Sequence, residues 1–249
     1  MINKTIETIL NHRSIRQFTD KKLTDEQIHT IVLAAQQAST SSYVMAYTII
    51  GITDSSIKAK LSAISRQSYV EDNGHLFVFC ADLHRISQQA PEKDQLSMQE
   101  SLESTEQFIV STIDTALAAQ NAAIAAESMG LGICYIGSLR NNIQAVNDIL
   151  ELPELVIPLF GMTIGYPDQQ PEVKPRLPLD VIYHQNKYSY GEKEKELLID
   201  FNEQVNDYYK NRNQNERVDT WSEQMIRKYE TPIRMDVTQY VKEKRFNRR

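Results

Sequence analysis

Apolar positions along the chain switch between two periods, and the switches lay out its elements. Ile2, Ile6, Ile9 and Leu10 recur at helical spacing and predict a short first helix. Thr24-Asp25-Glu26-Gln27 forms a capping box, and Ile28, Ile31, Val32 and Ala35 carry a second helix to about Ala38. The polar loop Ser39-Thr40-Ser41-Ser42 follows, then a β-branched strand from Tyr47 to Ile52. Asp54 suits the cap of a third helix with Ile57, Leu61 and Ile64 on one face. His75 to Ala81 reads as a strand apolar enough to be central. Residues 84–103 show no apolar period and are expected to be an irregular excursion.

From Ser104 to Met129 the pattern is apolar on nearly every side. Ser104-x-x-Gln107 caps it, and Phe108, Ile109, Val110, Ile113 and the alanine runs 116–119 and 122–126 leave almost no polar face. Such a helix belongs in the interior, and its alanines let neighbours approach closely. It would be about 40 Å long at ~1.5 Å per residue, with Gly130 as its C-cap. Ile133–Ile136 is a strand that breaks at Gly137, Asn141–Leu150 a helix, and Leu155–Ile164 a further strand. The proline-rich stretch 166–190 is expected to be extended. Glu192 to Tyr209 is helical, a polar loop runs from Asn211 to Asn215, and a last helical piece lies near Trp221. Strands separated by long helices predict a layered sandwich of helix and sheet.

Composition narrows the function classes. The 249 residues suit one large domain, or one domain with an appendage, and 41% hydrophobic content is ordinary for a globular chain. A net charge of -6 argues against nucleic acid as a partner. The charge is uneven: Lys210 to Arg249 carries 11 Lys and Arg against 6 Asp and Glu. A basic end on an acidic body suits an anionic ligand, or the docking of that end on the body. Cys80 and Cys134 form no metal or disulfide spacing and sit in strand-like runs, as inert buried thiols do. No apolar signal region and no bilayer-spanning run is expected, which points to the cytoplasm.

Candidate chemistry is cationic. His12-Arg13-Ser14-Ile15-Arg16 packs two guanidinium groups, an imidazole and a hydroxyl into five residues after a helix C-terminus. The helix dipole repels anions there, so a bound phosphate would depend on the side chains. Lys174-Pro175-Arg176 is a second cationic site, whose i and i+2 side chains share one side of an extended strand. In Tyr135-Ile136-Gly137-Ser138 a strand ends at a glycine that lets a backbone N–H approach a flat ligand. Each motif alone also suits an ordinary surface turn. No G-x-G-x-x-G, no phosphate-binding P-loop, no Ser-His-Asp triad and no metal set is present. Hard chemistry would therefore rest on a bound organic cofactor.

Taken together and in order, these motifs resemble the oxygen-insensitive NADPH nitroreductases and FMN reductases, in the larger NADPH-preferring branch. The resemblance rests on His12–Arg16, Ser39–Ser42, Thr112-Ile-Asp-Thr-Ala116 with Gln120-Asn-Ala122, Ala126–Gly132, Tyr135–Asn141, Pro158-Leu-Phe-Gly161, Lys174–Pro178 and Asp219-Thr-Trp-Ser222. It implies a single α+β domain, a mostly antiparallel sheet flanked by helices, in an intertwined homodimer. The long apolar helix would lie at the interface, and the C-terminal segment, about 200–249, would carry the NADPH site and cross to the partner.

The resemblance also implies tightly bound, non-covalent FMN, with NADPH as co-substrate. His12, Arg13 and Ser14 would meet the phosphate or ribityl chain, and Lys174 and Arg176 the phosphate. Arg16 would face flavin N1/O2 and Gly137 would aim its N–H at N5. Ser39, Thr40, Ser41, Gln67, Tyr135, Ile136 and Ser138 would line the flavin. Ser42 and Tyr43 would border the substrate face, Arg212 and Arg217 would receive the NADPH 2′-phosphate, and Arg234 would add a further basic group. No side chain need be an essential acid or base. The expected reaction is ping-pong hydride transfer to nitroaromatics, quinones or flavins. The alternatives are a flavin reductase releasing reduced FMN, a flavin-binding protein without turnover, and a cofactor-free dimer. Thr40 and Met45 stand where relatives often carry Ser and Gln, and Ser138 where some carry Gly, which bears on substrate preference.

Overall fold

The computed structural model describes residues 2–212 and 216–249. The chain divides into two compact units, residues 1–171 with 234–249, and residues 172–233.

The first unit is built on a four-stranded sheet. Helix α1 (Lys4–Leu10) is followed by α2 (Asp25–Gln36), whose predicted capping box is present at Thr24 and Gln27. Strand β1 (Tyr47–Ile52), helix α3 (Ser55–Ser65) and strand β2 (His75–Asp82) come next. Helices α4 (His84–Ser87) and α5 (Glu92–Leu102) occupy the stretch expected to be irregular. Its residues are mostly polar helix formers, and among those described only Met98 and Leu102 turn to the core, too short an apolar pattern for periodicity to detect. Helix α6 (Thr105–Ser128), strand β3 (Gly132–Ile136), helix α7 (Ile143–Ile149) and strand β4 (Val156–Gly165) complete the core. The strand order is β1-β2-β4-β3, with every neighbouring pair antiparallel.

Alternation along β2 assigns the two faces. Phe77 and Phe79 pack with α2 and the alanines of α6, while Leu76, Val78 and Cys80 pack towards α3 and α7. Both cysteines are free and buried, and burial pushes the Cys80 thiol up to about 12, as expected of inert thiols.

Two expectations for α6 are corrected. Its surface is not covered all round: Ile109, Ile113 and Leu117 are 46%, 51% and 43% exposed. By length and composition it is also apolar enough to cross a membrane. Its opposite face instead packs on the sheet, with Ala118, Ala119 and Ala126 fully buried beside Asp114 and Thr115. A fully buried carboxylate serving the rest of the fold is the mark of a core helix.

The last residues return to this unit. The last helix, Val237–Glu243, places Tyr240 and Val241 against Leu83, Leu102 and Ile157, with Phe246 fully buried. The final sixteen residues thus pack against this unit.

The second unit holds α8 (Leu179–Ile182), α9 (Glu192–Lys210) and α10 (Trp221–Glu230). Its small core is Phe201, Val205 and Tyr209 with Leu177, Tyr208 and Trp221. Of the polar loop expected at 211–215, residues 213–215 lie outside the described residues.

Candidate active site

The His12–Arg16 segment runs beside β3. Ile15 N–H donates to the Ile133 carbonyl at 2.8 Å, and Ser14 forms a parallel bridge with Ile133. Ile15 is buried against Gly132, where a Cβ would lie 2.5 Å from the Ile15 side chain. Only glycine fits there. Alternation then turns Ser14 and Arg16 away from Ile15. Both interact with residues of another group: Tyr69 meets Arg16 and the Cys134 thiol, and Cys134 meets Ser14. Burial pushes the Tyr69 phenol up to about 12, so it stays a neutral hydroxyl beside the guanidinium. Arg16 has no carboxylate partner among the described residues, and its backbone N–H donates to Gln169 Oε1 at 2.8 Å. The first two cluster members are already engaged. His12 Nδ1 lies 2.6 Å from Glu127 Oε1, and Arg13 donates to the Asn11 and Pro171 carbonyls at 3.2 and 3.1 Å.

The end of β3 carries the next group. Tyr135 is partly exposed and stacks edge-on with Phe160 at 5.5 Å. Ile136 is buried, and Gly137 opens a 3₁₀ turn, Gly137–Asn142. A Cβ at Gly137 would lie 3.3 Å from the Arg140 guanidinium, so the glycine also makes room for that cation. Arg140 donates to the Leu159 carbonyl. Arg234 donates twice to Asn141 Oδ1, at 3.0 and 2.8 Å, and burial together with Arg234 lowers the Arg140 pKa. Arg234 is therefore brought to the turn after Gly137.

Four buried side-chain atoms lack a hydrogen-bond partner among the described residues: Gln67 Oε1, Ser138 Oγ, Thr112 Oγ1 and His75 Nε2. His75 is kept neutral by burial, its pKa pushed down to about 4. Gln67 and Ser138 are both expected site residues. Asn141 Nδ2 donates to the Ile64 carbonyl at 3.2 Å, tying the turn that holds Ser138 to the end of α3 just before Gln67. A polar atom buried without a partner costs about 1–3 kcal/mol, and two of them lie on these adjoining segments.

Ser39, Thr40 and Ser41 lead into a 3₁₀ turn, Ser41–Tyr43. Ser42 and Tyr43 both have left-handed backbone, and Tyr43 is 82% exposed. The buried Asp114 carboxylate accepts the Ser41 and Ala46 N–H groups at 3.0 and 3.1 Å. A cavity of about 850 Å³ adjoins Arg13, Ile15, Glu127 and Gln169. Arg16, Gln67, Tyr135 and Gly137 do not line it, so of the expected flavin residues it takes in Arg13 and leaves out those of the ring.

In the second unit, Lys174 and Arg176 both line an apolar hollow of about 660 Å³ floored by Phe201, Val205 and Trp221. They do not form the open two-pronged clamp expected from their spacing, because Arg176 folds back to donate to the Lys174 carbonyl at 2.7 Å. Three cations meet the Tyr209 ring: Arg217 at 4.0 Å, Arg212 at 5.4 Å and Lys174 at 5.5 Å. Burial alone would raise the Tyr209 phenol, yet Lys174, Arg217 and Arg212 bring it below its ordinary value. Gln224 Oε1 accepts from the Tyr209 hydroxyl and from Arg217, at 3.1 and 3.0 Å. Arg217 and Arg227 share the Asp219 carboxylate. This concentration of positive charge suits an anion.

Sequence reasoning missed Tyr69, Asp114, Glu127 and Arg140. Asp114, Glu127 and Arg140 lie inside the motifs that carry the resemblance, which was the available signal. Tyr69 lay in no motif.

The comparisons with known proteins cover both units. The description "Nitroreductase family" matches residues 9–166, and "Nitroreductase family, C-terminal domain" matches residues 174–249. The FMN reductase (NADPH) of Bacillus subtilis is 51% identical over 249 residues, covering 99% of this chain and all of that protein. An NADPH-dependent oxidoreductase of Staphylococcus haemolyticus is 44% identical, covering 95% of each chain. Among solved structures, the B. subtilis NfrA1 nitroreductase superposes with a TM-score of 0.95 at 51% identity, over 99% of this chain and all of that one. The Vibrio harveyi NADPH:FMN oxidoreductase, complexed with NAD+, gives 0.88 at 38% identity, again over 99% of this chain and all of that one. With both family descriptions and full-length relatives matched, this chain belongs to the nitroreductase family.

Proposed function

We propose that this chain is an FMN-dependent NADPH oxidoreductase acting in the cytoplasm on small, flat electron acceptors. The observation that carries the site is the pair of unpartnered buried oxygens, Gln67 Oε1 and Ser138 Oγ, on adjoining segments. The residues fit FMN in donor chemistry as well. Arg16 has no carboxylate partner among the described residues, and Tyr69 holds a neutral hydroxyl against it. A guanidinium so placed favours negative charge on a bound ring. His12, Arg13 and Ser14 would hold the phosphate or ribityl end. Ser39, Thr40, Ser41, Tyr135 and Ile136 would line the ring, and Gly137 would offer its backbone N–H.

FMN, when bound, supplies the two-electron chemistry, taking hydride from NADPH and giving it to a nitroaromatic, a quinone or a flavin. The chain's own part is to bind and orient. Ser42 and Tyr43 border the acceptor. In the second unit, Lys174 and Arg176 are phosphate ligands, and Arg212 and Arg217 take the NADPH 2′-phosphate. Arg234, with Arg140, adds positive charge beside the Gly137 turn. The exposed stripe of α6 supports self-association as a homodimer. A second reading, an enzyme that releases reduced FMN, is favoured by the name of the B. subtilis relative.

The test is an anaerobic titration of the purified protein with NADPH and then NADH, following the visible flavin band. One equivalent of NADPH per flavin is expected to bleach the band quickly, and NADH slowly. A yellow protein that does not bleach is a flavin-binding protein instead. A protein still colourless after FMN is added overturns the reading.

A further inference from the structure

The backbone between Ser41 and Tyr47 is strained, and charges of opposite sign hold it. Ser42, Tyr43 and Met45 all adopt left-handed conformations, with φ of 48°, 61° and 51°, and none is glycine. Each costs about 1–2 kcal/mol. Tyr43 and Met45 are also large side chains left in solvent, 82% and 40% exposed. Strain and exposure both count against stability, so something else must hold the turn.

From below, Asp114 accepts the N–H groups of Ser41 and Ala46, the two ends of the strained stretch. Asp114 is fully buried and has no ion pair among the described residues. Releasing the loop would leave that charge unsolvated, so the carboxylate holds the amides as firmly as they hold it. From the side, the Arg85 guanidinium donates to the carbonyls of Met45 and Tyr47, at 3.4 and 3.2 Å, and to Thr48 Oγ1 at 2.7 Å. Arg85 is seated on Asp82 at 3.1 Å, and Asp82 also accepts the Thr48 hydroxyl. One charge thus collects the turn's donors and the other its acceptors.

We propose that Asp114 and Arg85 are positioning residues that hold Tyr43 and Met45 out as a rim selecting planar aromatic acceptors by shape. The proposal rests on the reading above that the Ser42–Tyr43 turn borders the acceptor. The rim would discriminate because the backbone that carries its side chains is held in place and cannot yield to a larger molecule.

The test uses the flavin-loaded protein with Arg85→Ala, Arg85→Lys and Asp114→Asn. Arg85 is largely exposed, so its variants are expected to fold even where Asp114→Asn does not. Amide hydrogen exchange across residues 39–47 is expected to quicken about 10-fold in Arg85→Ala, as local opening becomes easier. The ratio of kcat/KM for nitrofurazone to that for menadione is expected to shift about 5-fold, the scale of a modest change in pocket fit. Arg85→Lys is expected to recover part of both effects. A general loss of stability would scale both acceptors alike and leave the ratio unmoved. Wild-type exchange or a wild-type ratio in Arg85→Ala overturns the proposal. A wild-type protein whose flavin NADPH does not reduce fails the functional reading, and the acceptor role with it. The exchange result then stands or falls for the clamp alone.

Discussion

Tyr209 shows how a residue with no motif of its own can organise those that have one. Lys174, Arg212 and Arg217 approach its ring from three segments, and Gln224 fixes its hydroxyl and one guanidinium together. A cation held over an aromatic face is attracted by about 0.5–2 kcal/mol, which offsets part of the repulsion among three like charges. Arg212→Ala should raise KM for NADPH at least about 10-fold, the loss of one charge-assisted phosphate contact. KM for NADH, which lacks that phosphate, should change little, and steady-state kinetics with both donors measures the difference. At this scale the sequence names cations readily, because arginine and lysine are conspicuous. It does not name their partners. Tyr69 beside Arg16, Glu127 beside His12 and Asn141 beside Arg234 are 53, 115 and 93 positions away in sequence, and no local period links them.

Helix α6 marks what periodicity can and cannot say about an element. Its existence, cap and approximate ends were readable from Ser104, the alanine runs and Gly130. Whether each apolar position is covered by the same chain was not, since a residue destined for a neighbouring molecule looks like one destined for the core. Ile109, Ile113 and Leu117 lie four residues apart and form one exposed stripe. If that stripe is the homodimer contact, Ile113→Lys should shift the protein toward monomer in sedimentation equilibrium. A dimer of unchanged affinity would place the contact elsewhere. Helix α5 is the opposite case. Its mean composition is polar, Leu96 is 80% exposed, and the single core-facing pair, Met98 and Leu102, is too short a pattern to read as a period.

For the whole molecule, the C-terminal return is the decisive long-range feature. Glu103 is 2% exposed and receives Arg245 at 2.9 Å, Arg248 at 3.4 Å and Arg249 at 3.8 Å. The Arg248 N–H donates to the Glu103 carbonyl, and the Thr105 N–H to the Arg249 carbonyl. Burial alone would raise the Glu103 carboxyl, but Arg245, Gln99 and Arg248 hold it below its ordinary 4.5. Its folded pKa is depressed, so its contribution is present above the unfolded value and is lost as pH falls through the folded one. Glu103→Ala should therefore lower Tm by about 5 °C near neutral pH, since three guanidinium groups lose their carboxylate. The gap to wild type should close as pH drops below 4, which calorimetry across pH would follow. A gap that persists in acid would assign the effect to packing.

The sequence by itself determined the helices and strands with strong periods, the inert thiols, and the motif cations whose order carries the family resemblance. These are local properties: a capping box, an alternation or a cluster of guanidinium groups is set by residues a few positions apart. Tertiary structure alone decided the antiparallel order β1-β2-β4-β3, the pairing of Arg16 with Tyr69, and the stranding of Gln67 Oε1 and Ser138 Oγ without partners. It also decided that Asp114 and Arg85 grip one strained turn and that the last sixteen residues close on their own chain. Each of these depends on which distant segments meet. That is set by the burial of whole faces against one another, a balance summed over the molecule that no short stretch of sequence contains.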